Sequence, residues 1–232
     1  MSRNLNFKII GSGPTGLLLA ISLSKLNTNI YLTDLLTKEK LIKKDKTYAI
    51  THSTQKILSK FNLWDKLKSS IFGFDTLSIS DRVVSCTSLL TIDDLDKDLR
   101  LKNNIGWVVK HSDLMQVFFD EVEKCKNIFF TSPKSLSLKK VSYDFVFMSN
   151  GANSNIQKRS NLLDINRFYD QSCLTFKVLI RGNVNKRAYE IFRKEGPLAL
   201  LPLESNLYQI IWTDRTTKSI ERLNSCRSFL LD

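Results

Sequence analysis

The sequence predicts an α/β protein in which a parallel sheet covered by helices is interrupted by a second, mostly antiparallel sheet. Residues 7–34 have the order strand, glycine-rich turn, helix, strand, which is typical of a βαβ unit. The same layered pattern returns at residues 105–165. Beyond residue 166, apolar and polar side chains alternate with a period of two, which indicates antiparallel strands with one buried face.

The first βαβ unit begins with the apolar strand Phe7–Ile10. The helix after the turn, Leu17–Leu26, is apolar on nearly all sides, as expected of a helix buried against a sheet. The second strand, Ile30–Thr33, leads directly to Asp34. Apolar residues at helical spacing then predict a helix over Ser53–Phe61.

The next segments alternate between the two predicted sheets. Short β-like pieces between residues 73 and 104 indicate an excursion out of the first layer. Helical spacing resumes after Ser112 and Asp113, either of which offers a capping side chain. Asn127–Thr131 and Tyr143–Ser149 are then predicted to be buried strands.

The last part of the chain is predicted to complete the antiparallel sheet, with a turn at Gly182–Asn183 and strands over Leu198–Pro202 and Tyr208–Thr213. The order of these predicted strands and helices divides the chain into two domains of two segments each. The first is expected to comprise residues 1–72 and 105–165, and the second residues 73–104 and 166–232.

The composition is that of a folded globular chain. Of 232 residues, 42% are hydrophobic and 25% charged, with only 8 Gly and 4 Pro, which excludes the disordered and collagen-like classes. A formal charge of +12 favours an anionic partner. The lysines are nevertheless interspersed with acidic and apolar residues and lack the interleaved aromatics of a single-strand stacking surface. We therefore expect no nucleic-acid partner, with RNA or membrane-surface association as a weak alternative.

The four cysteines lie far apart and form no C-x-x-C pair, and the chain has only two histidines. This arrangement offers no metal-ligand spacing and predicts no metal site in a reduced, cytoplasmic protein. The most apolar stretch, residues 16–26, is shorter than the roughly 20 residues that cross a bilayer.

The turn after the first strand has the form G-x-G-x-x-G, at the start of a helix. In that context Gly11 permits the tight turn, Gly13 lets backbone N–H groups approach a pyrophosphate, and Gly16 permits close packing of helix on strand. Pro14, at the first helical turn, gives up an N–H that had no intrahelical partner. The sequence therefore predicts a dinucleotide site on the N-terminus of this helix, formed by Gly11, Ser12, Gly13, Pro14, Thr15 and Gly16.

Asp34 follows the second strand at the spacing expected of the acid that binds a ribose 2′-hydroxyl. A carboxylate there repels a 2′-phosphate, so the adenosine half of FAD or of NAD suits this crevice and NADP does not. The turn and its acid do not choose between FAD and NAD.

Several segments, in the same order along the chain, resemble the aromatic-hydroxylase class of FAD-dependent monooxygenases. The narrower resemblance is to the ubiquinone-biosynthesis hydroxylases, which act on prenylated phenols. The most specific segment is Glu195–Leu203 followed by Trp212, which is similar to the EGPLALLPL…WT segment of the substrate-facing sheet in that branch. The other segments are Gly11–Gly16 with Asp34, Lys46–Ser53 with Leu63–Asp65, Gly106–Leu114 and Tyr143–Ser154.

The resemblance implies a Rossmann-like FAD-binding domain with an inserted, mostly antiparallel substrate domain, as in p-hydroxybenzoate hydroxylase. It also implies FAD contacts from Lys46, Asn150 and Gly151. Two of these depart from the family pattern: Lys46 stands where the family usually has arginine, and Asn150 replaces an aspartate. The implied substrate pocket is lined by Leu200, Pro202 and Trp212.

The implied reaction uses NAD(P)H to reduce the flavin and O2 to hydroxylate an aromatic ring. Because the cofactor carries this chemistry, no nucleophile–base set is required, and no catalytic residue is predicted. His52 and His111 lie in segments that the family uses for packing near the cofactor. An NAD-dependent dehydrogenase and a truncated, inactive dinucleotide-binding module are the alternatives.

The family further implies a prenylated phenol or quinol as substrate, and it leaves open peripheral contact with an inner membrane and assembly with other ubiquinone-biosynthesis proteins. Family members continue into a third FAD segment with a Gly-Asp motif, whereas this sequence stops at Asp232 without one. From this we expect weak FAD binding and little independent activity.

Overall fold

The computed structural model describes residues 4–131, 141–151, 169–181 and 186–225. The predicted turn at Gly182–Asn183 and the motif residues Ala152, Asn153 and Ser154 lie outside the described residues. The strands are β1 (Leu5–Ile10), β2 (Thr28–Thr33), β3 (Thr47–Ile50), β4 (Ile71–Phe74), β5 (Thr76–Asp81), β6 (Cys86–Thr91), β7 (Gly106–Lys110), β8 (Ile128–Thr131), β9 (Phe145–Met148), β10 (Ser172–Leu179), β11 (Arg187–Phe192), β12 (Leu198–Pro202) and β13 (Leu207–Asp214).

The α-helices are α1 (Pro14–Leu23), α2 (Lys38–Ile42), α3 (His52–Lys60), α4 (Trp64–Leu67), α5 (Lys97–Arg100), α6 (His111–Lys124) and α7 (Thr216–Asn224). A short 3-10 helix spans Ile92–Asp94. The chain forms two compact units. Unit 1 comprises Met1–Lys46, Lys56–Ser70 and Lys110–Ile165, and unit 2 comprises Thr47–Gln55, Ile71–Val109 and Asn166–Asp232.

Unit 1 is built on a parallel sheet with the strand order β8-β2-β1-β9. Ile9, Ile30 and Leu32 of its two central strands are fully buried. Helix α1 packs against α6, and their buried side chains, including Leu17 and Phe118, close the core on the helical side. The βαβ unit predicted from the sequence is therefore present, and it carries the glycine turn at the carboxyl end of β1.

Two predictions for unit 1 are wrong. The segment around β9 was expected to be a buried strand, but Phe145 is 55% exposed and Val146 54%. The reason is that β9 is an edge strand, paired with β1 alone in the described part of the chain. Helix α6 also begins earlier than expected, at His111, and Lys110 at its N-cap makes no side-chain capping bond.

Unit 2 is built on a six-stranded sheet with the order β10-β13-β12-β11-β5-β6. Its pairs are antiparallel except for β11 and β5, which run parallel. A three-stranded sheet, β3-β7-β4, belongs to the same unit. The α/β class with a mostly antiparallel second sheet is thus confirmed.

The strand register separates the two faces of the six-stranded sheet, because directly paired residues point to the same side. One face packs on the three-stranded sheet through the cluster of Phe74, Val108, Ala188 and Leu203. We call the opposite face the Trp212 face. Over β10 to β13 it carries Leu174, Phe176, Val178, Arg187, Tyr189, Ile191, Leu198, Leu200, Pro202, Tyr208, Ile210 and Trp212.

Candidate cofactor site

The glycine turn is held in a shape that only glycine allows at two of its positions. Gly11 has a φ of +103°, and a Cβ there would lie 2.5 Å from the carbonyl oxygen of Ser149. A Cβ on Gly16 would lie 1.9 Å from the carbonyl oxygen of Gly11. Gly11 and Gly16 are therefore packing positions, which let α1 approach β1 closely.

Gly13 differs from these two glycines because a Cβ there would meet nothing within 4 Å. Its φ of −71° and ψ of −178° are also open to any residue. The open space at Gly13 adjoins the first turn of α1, which has Pro14 at its start, no side-chain cap and no acidic residue. A pyrophosphate would fit this cradle, since it needs unblocked amides and the positive end of a helix.

Ser12 adds a side chain to the cradle. The residue is fully buried, and its Oγ has no hydrogen-bond partner in the described structure. A buried hydroxyl without a partner is costly, and a phosphate oxygen is a suitable acceptor for it. The neighbouring Thr15 is exposed on the first turn of α1.

Asp34 follows β2 and turns back onto the glycine turn. Its Oδ2 accepts a hydrogen bond from the Ser12 N–H at 2.7 Å, and its Oδ1 accepts one from the Leu36 N–H at 2.9 Å. Each carboxylate oxygen can accept a further bond, so Asp34 can hold ribose hydroxyls while it fixes the turn. The structure therefore brings the predicted acid and the predicted turn together, and both suit an adenosine diphosphate moiety.

The segment after β9 lies against the same turn. The Ser149 N–H donates to the Ile10 carbonyl at 2.8 Å, and the Ser149 hydroxyl lies 3.0 Å from the Gly11 carbonyl. Asn150 and Gly151 follow, and Gly151 has a φ of +75° with open space around its Cα. Ser149 has no role predicted from the sequence, although a small residue that follows a strand and faces a glycine turn is a usable signal.

Lys46 is exposed at the end of the first segment of unit 1. Its backbone carbonyl accepts a hydrogen bond from the His111 N–H at 2.8 Å. No hydrogen bond joins Lys46 to the glycine turn among the residues that the structure describes. A flavin contact from Lys46 stays a prediction.

His111 is 3% exposed, and its Nε2 lies 2.7 Å from the Leu41 carbonyl. Burial lowers the pKa of His111, the carbonyl bond opposes this, and the charges of Lys44 and Lys46 lower it further. His52 is also buried, with Nε2 2.9 Å from the Asn104 carbonyl and its ring edge-on to Trp107. Both imidazoles thus pack within their own units.

The three predicted pocket residues share the Trp212 face of unit 2. Leu200 is paired with Ile210, Pro202 with Tyr208, and Trp212 with Leu198. Leu200 and Trp212 are half-buried, and Pro202 is buried. The Trp212 ring is contacted by the guanidinium groups of Arg193 and Arg222, at 5.5 and 4.4 Å from its centroid.

Across the described ranges, no three His, Cys, Asp or Glu side chains are grouped so as to hold a metal ion. In the same ranges, no helix combines the length and the hydrophobicity needed to cross a bilayer.

No family model matches the chain. An uncharacterized protein of Synechocystis sp. is 29% identical over 223 residues, which are 88% of this chain and 53% of the relative. The mitochondrial ubiquinone biosynthesis monooxygenase COQ6 of Rattus norvegicus is 23% identical over 76% of this chain and 42% of its own length. The chain spans about half the length of the curated relatives it matches.

Solved structures share the fold at low identity. PqsL of Pseudomonas aeruginosa, described as a probable FAD-dependent monooxygenase, has a TM-score of 0.75 at 11% identity and covers 99% of this chain and 65% of its own. The p-nitrophenol 4-monooxygenase PnpA of Pseudomonas putida has a TM-score of 0.72 at 13% identity, with 96% and 62% covered. CtdE, solved in complex with FAD, has a TM-score of 0.65 at 12% identity, with 92% and 60% covered.

These comparisons confirm the resemblance predicted from the sequence. Relatives and structural neighbours alike include monooxygenases, which are oxidoreductases. The chain has the fold of the FAD-dependent monooxygenases, and the ubiquinone-biosynthesis monooxygenases are among its sequence relatives.

Proposed function

We propose that this chain is the FAD-binding and substrate-binding part of an aromatic-ring monooxygenase. The observation that carries the proposal is the cradle of unit 1, where open space at Gly13, an uncapped helix and the buried Ser12 hydroxyl adjoin the Asp34 carboxylate. The cradle alone suits either FAD or NAD. The likeness to FAD-dependent monooxygenases supports FAD as the cofactor.

The residues of unit 1 would hold the cofactor without reacting. The amides of Gly13, Thr15 and Gly16 would face the pyrophosphate, and Asp34 would bind the ribose of the adenosine half. Further FAD contacts are proposed from Asn150, Gly151 and Lys46. Pro14 lacks an N–H at a position without an intrahelical partner, so the neighbouring amides stay available to the ligand. When bound and reduced by NAD(P)H, the flavin supplies the chemistry that moves one oxygen atom of O2 onto the ring.

Unit 2 is proposed as the substrate domain, with residues 73–104 and 166–232 contributing most of it. Leu200, Pro202 and Trp212 would form an apolar wall that excludes water from the ring. A prenylated phenol is the proposed substrate and ubiquinone biosynthesis the proposed pathway, supported by the COQ6 relatives. Peripheral membrane contact would follow from such a substrate.

The proposal is tested on the purified full chain. We expect saturable FAD uptake, seen as a shifted flavin absorption band. NADH consumption is then measured with and without 2-methoxyphenol and 4-alkylphenols. A chain that takes up NADH but no FAD would overturn the flavoprotein proposal in favour of a dehydrogenase.

A further inference from the structure

One end of the six-stranded sheet of unit 2 gathers exposed apolar side chains. Strands β5, β11 and β13 run towards this end, and β6, β10 and β12 start from it. The same end carries the turn of residues 82–85 between β5 and β6, and the start of α7. We call it the hairpin end. Its exposed large apolar residues are Val83, Val84, Tyr169, Phe192, Ile220 and Leu223.

The turn between β5 and β6 presents two valines to solvent in a fixed shape. The Asp81 Oδ1 accepts hydrogen bonds from the Val83 N–H at 2.8 Å and the Val84 N–H at 3.3 Å. The Arg82 N–H donates to the Phe192 carbonyl at 2.9 Å. Val83 is 67% exposed and Val84 68%, although turns of this kind usually hold Gly, Asn, Asp or Ser. Two apolar residues at an ordered turn therefore indicate a partner with an apolar surface.

Helix α7 has its apolar stripe on the outside. Its inner side is polar, because the Ser219 hydroxyl donates to a β10 carbonyl at 3.2 Å and Arg222 pairs with Asp214. Ile220 and Leu223, three residues apart on one face, are 52% and 73% exposed. A helix that packs on its own sheet normally turns its apolar face inward. The reversed orientation is typical of a helix that lies in a membrane interface.

Exposed cations accompany the apolar groups of the hairpin end. Arg82 precedes the two valines, Lys194 follows β11, and Arg215 precedes α7. Long basic side chains of this kind can reach lipid phosphates while their apolar neighbours enter the acyl boundary. The exposed acids at this end are Asp170, Glu195 and Glu221, the last paired with Lys218. The excess of positive charge is therefore small.

A lipid surface fits these features better than a protein groove does. The apolar groups project from four separate places, which are the hairpin turn, the residue before β10, the end of β11 and the outer side of α7. A bilayer adapts to separate projections, whereas a protein partner needs a rigid surface that matches all of them. Apolar insertion, assisted by the attraction of a few cations to anionic headgroups, is the physical basis of interfacial binding.

We propose that the hairpin end docks on an anionic phospholipid bilayer, with Val83, Val84, Ile220 and Leu223 in the boundary between headgroups and acyl chains. The inference rests on the proposed function for its purpose, because a prenylated phenol resides in a bilayer. Since the positive excess is small, apolar insertion contributes more to binding than the attraction to anionic lipid does.

The experiment sediments the purified full chain with two kinds of vesicle. One contains equal parts of phosphatidylcholine and phosphatidylglycerol, and the other contains phosphatidylcholine alone. We expect saturable binding to both, about fivefold tighter to the mixed vesicles. The difference between the two should shrink as salt is added, because salt screens the cations.

Leu223 and Leu179 form a matched pair of variants. Both are leucines of unit 2, 73% and 72% exposed, but Leu179 lies at the opposite end of the sheet. Leu223→Gln should weaken binding to the mixed vesicles about fivefold, whereas Leu179→Gln should change it less than about twofold.

The two valines are tested together. Val83→Asn with Val84→Asn keeps residues that suit a turn and should also weaken binding to the mixed vesicles about fivefold. All these variants should melt at the wild-type temperature, because the replaced side chains are exposed.

Wild-type protein that does not bind the mixed vesicles, or Leu223→Gln protein that binds them as wild type does, would overturn the inference. Light scattering is recorded on the same proteins. A wild-type dimer that Leu223→Gln dissociates, without vesicle binding, would overturn it in favour of a second copy of this chain at the hairpin end.

FAD uptake is measured in parallel on the same samples. Vesicle binding that depends on Leu223, without FAD uptake, would refute the proposed monooxygenase and leave the lipid surface standing. FAD uptake without vesicle binding would overturn the lipid surface alone.

Discussion

The two surfaces proposed to bind ligands, the glycine turn of unit 1 and the Trp212 face of unit 2, are built in opposite ways. The turn uses backbone amides from one short segment and a single carboxylate, Asp34, that fixes it. The Trp212 face uses side chains that four strands bring together, among them Arg187 and Leu200. Substitutions that add side-chain atoms should therefore disrupt the glycine turn. Substitutions that remove side chains or charges should disrupt the Trp212 face.

The largest expected effect is steric and concerns the turn. Gly16→Ala places a Cβ 1.9 Å from the Gly11 carbonyl oxygen, which is backbone and cannot move aside without shifting α1 from β1. We expect a loss of about 3 kcal/mol or more in the free energy of unfolding, measured by urea denaturation.

Gly13→Ala is the matched control, since its Cβ meets nothing within 4 Å and its backbone suits alanine. It should leave stability unchanged or raise it by less than about 1 kcal/mol. Equal losses in the two variants would contradict the division into packing and ligand-facing glycines.

The next effect concerns the charged end of the Trp212 face. Arg222→Met keeps an apolar side chain next to Trp212 but removes the partner of Asp214, which is 2% exposed. We expect a loss of about 1–3 kcal/mol in the free energy of unfolding at neutral pH. Lys218→Met, which breaks an exposed pair with Glu221 on the same helix, should cost less than about 0.5 kcal/mol.

The same pair gives a dependence on pH. Burial raises the pKa of Asp214, but the hydrogen bonds from Arg222 and from the Arg215 N–H outweigh it and hold the pKa below its ordinary 3.8. The stabilisation is therefore complete above 3.8 and is lost as pH falls below that value. The free energies of unfolding of wild type and Arg222→Met are measured at a series of acid pH values. The difference between them should shrink as pH falls, and a constant difference would contradict the pairing.

A smaller effect is expected on cofactor affinity. Asp34→Asn keeps an oxygen that can accept the Ser12 N–H, yet removes the charge proposed to hold the ribose. We expect FAD binding to weaken about tenfold, measured by fluorescence titration, with stability little changed. Asp170→Asn, at an exposed position, is the charge control. Equal FAD affinity in the Asp34 and Asp170 variants would show that Asp34 does not bind the cofactor.

The smallest effect concerns His111. Burial lowers the pKa of His111, so near pH 6.5 the unfolded chain binds a proton more readily than the folded chain does. The free energy of unfolding therefore falls as pH drops below 6.5. His111→Gln, which can still donate to the Leu41 carbonyl, should show a shallower fall in melting temperature over that range. Equal slopes in wild type and His111→Gln would contradict this origin of the pH dependence.

The sequence was sufficient for the turn because its constraints are local. One βαβ unit contains Gly11, Gly16 and Asp34, and the glycine spacing predicts the order of its elements. The exposure of Phe145 could not be foreseen, because an apolar strand has the same pattern at the edge of a sheet as in its centre.

The position of Arg187 could not be predicted, for a related reason. Its place on the Trp212 face depends on the parallel pairing of β11 with β5, which brings Thr76 beside it from a distant part of the chain. No local period specifies that pairing, so the position of Arg187 on this face becomes visible only in three dimensions.

The open space at Gly13 is proposed to receive the cofactor, and one titration tests this most directly. FAD is titrated into wild-type and Gly13→Val protein while flavin fluorescence is followed, and thermal unfolding of each is recorded. We predict saturable binding to wild type, at least about tenfold weaker binding to the valine variant, and closely similar melting temperatures. Equal FAD affinity in the two proteins, or no FAD uptake by wild type, would contradict the account.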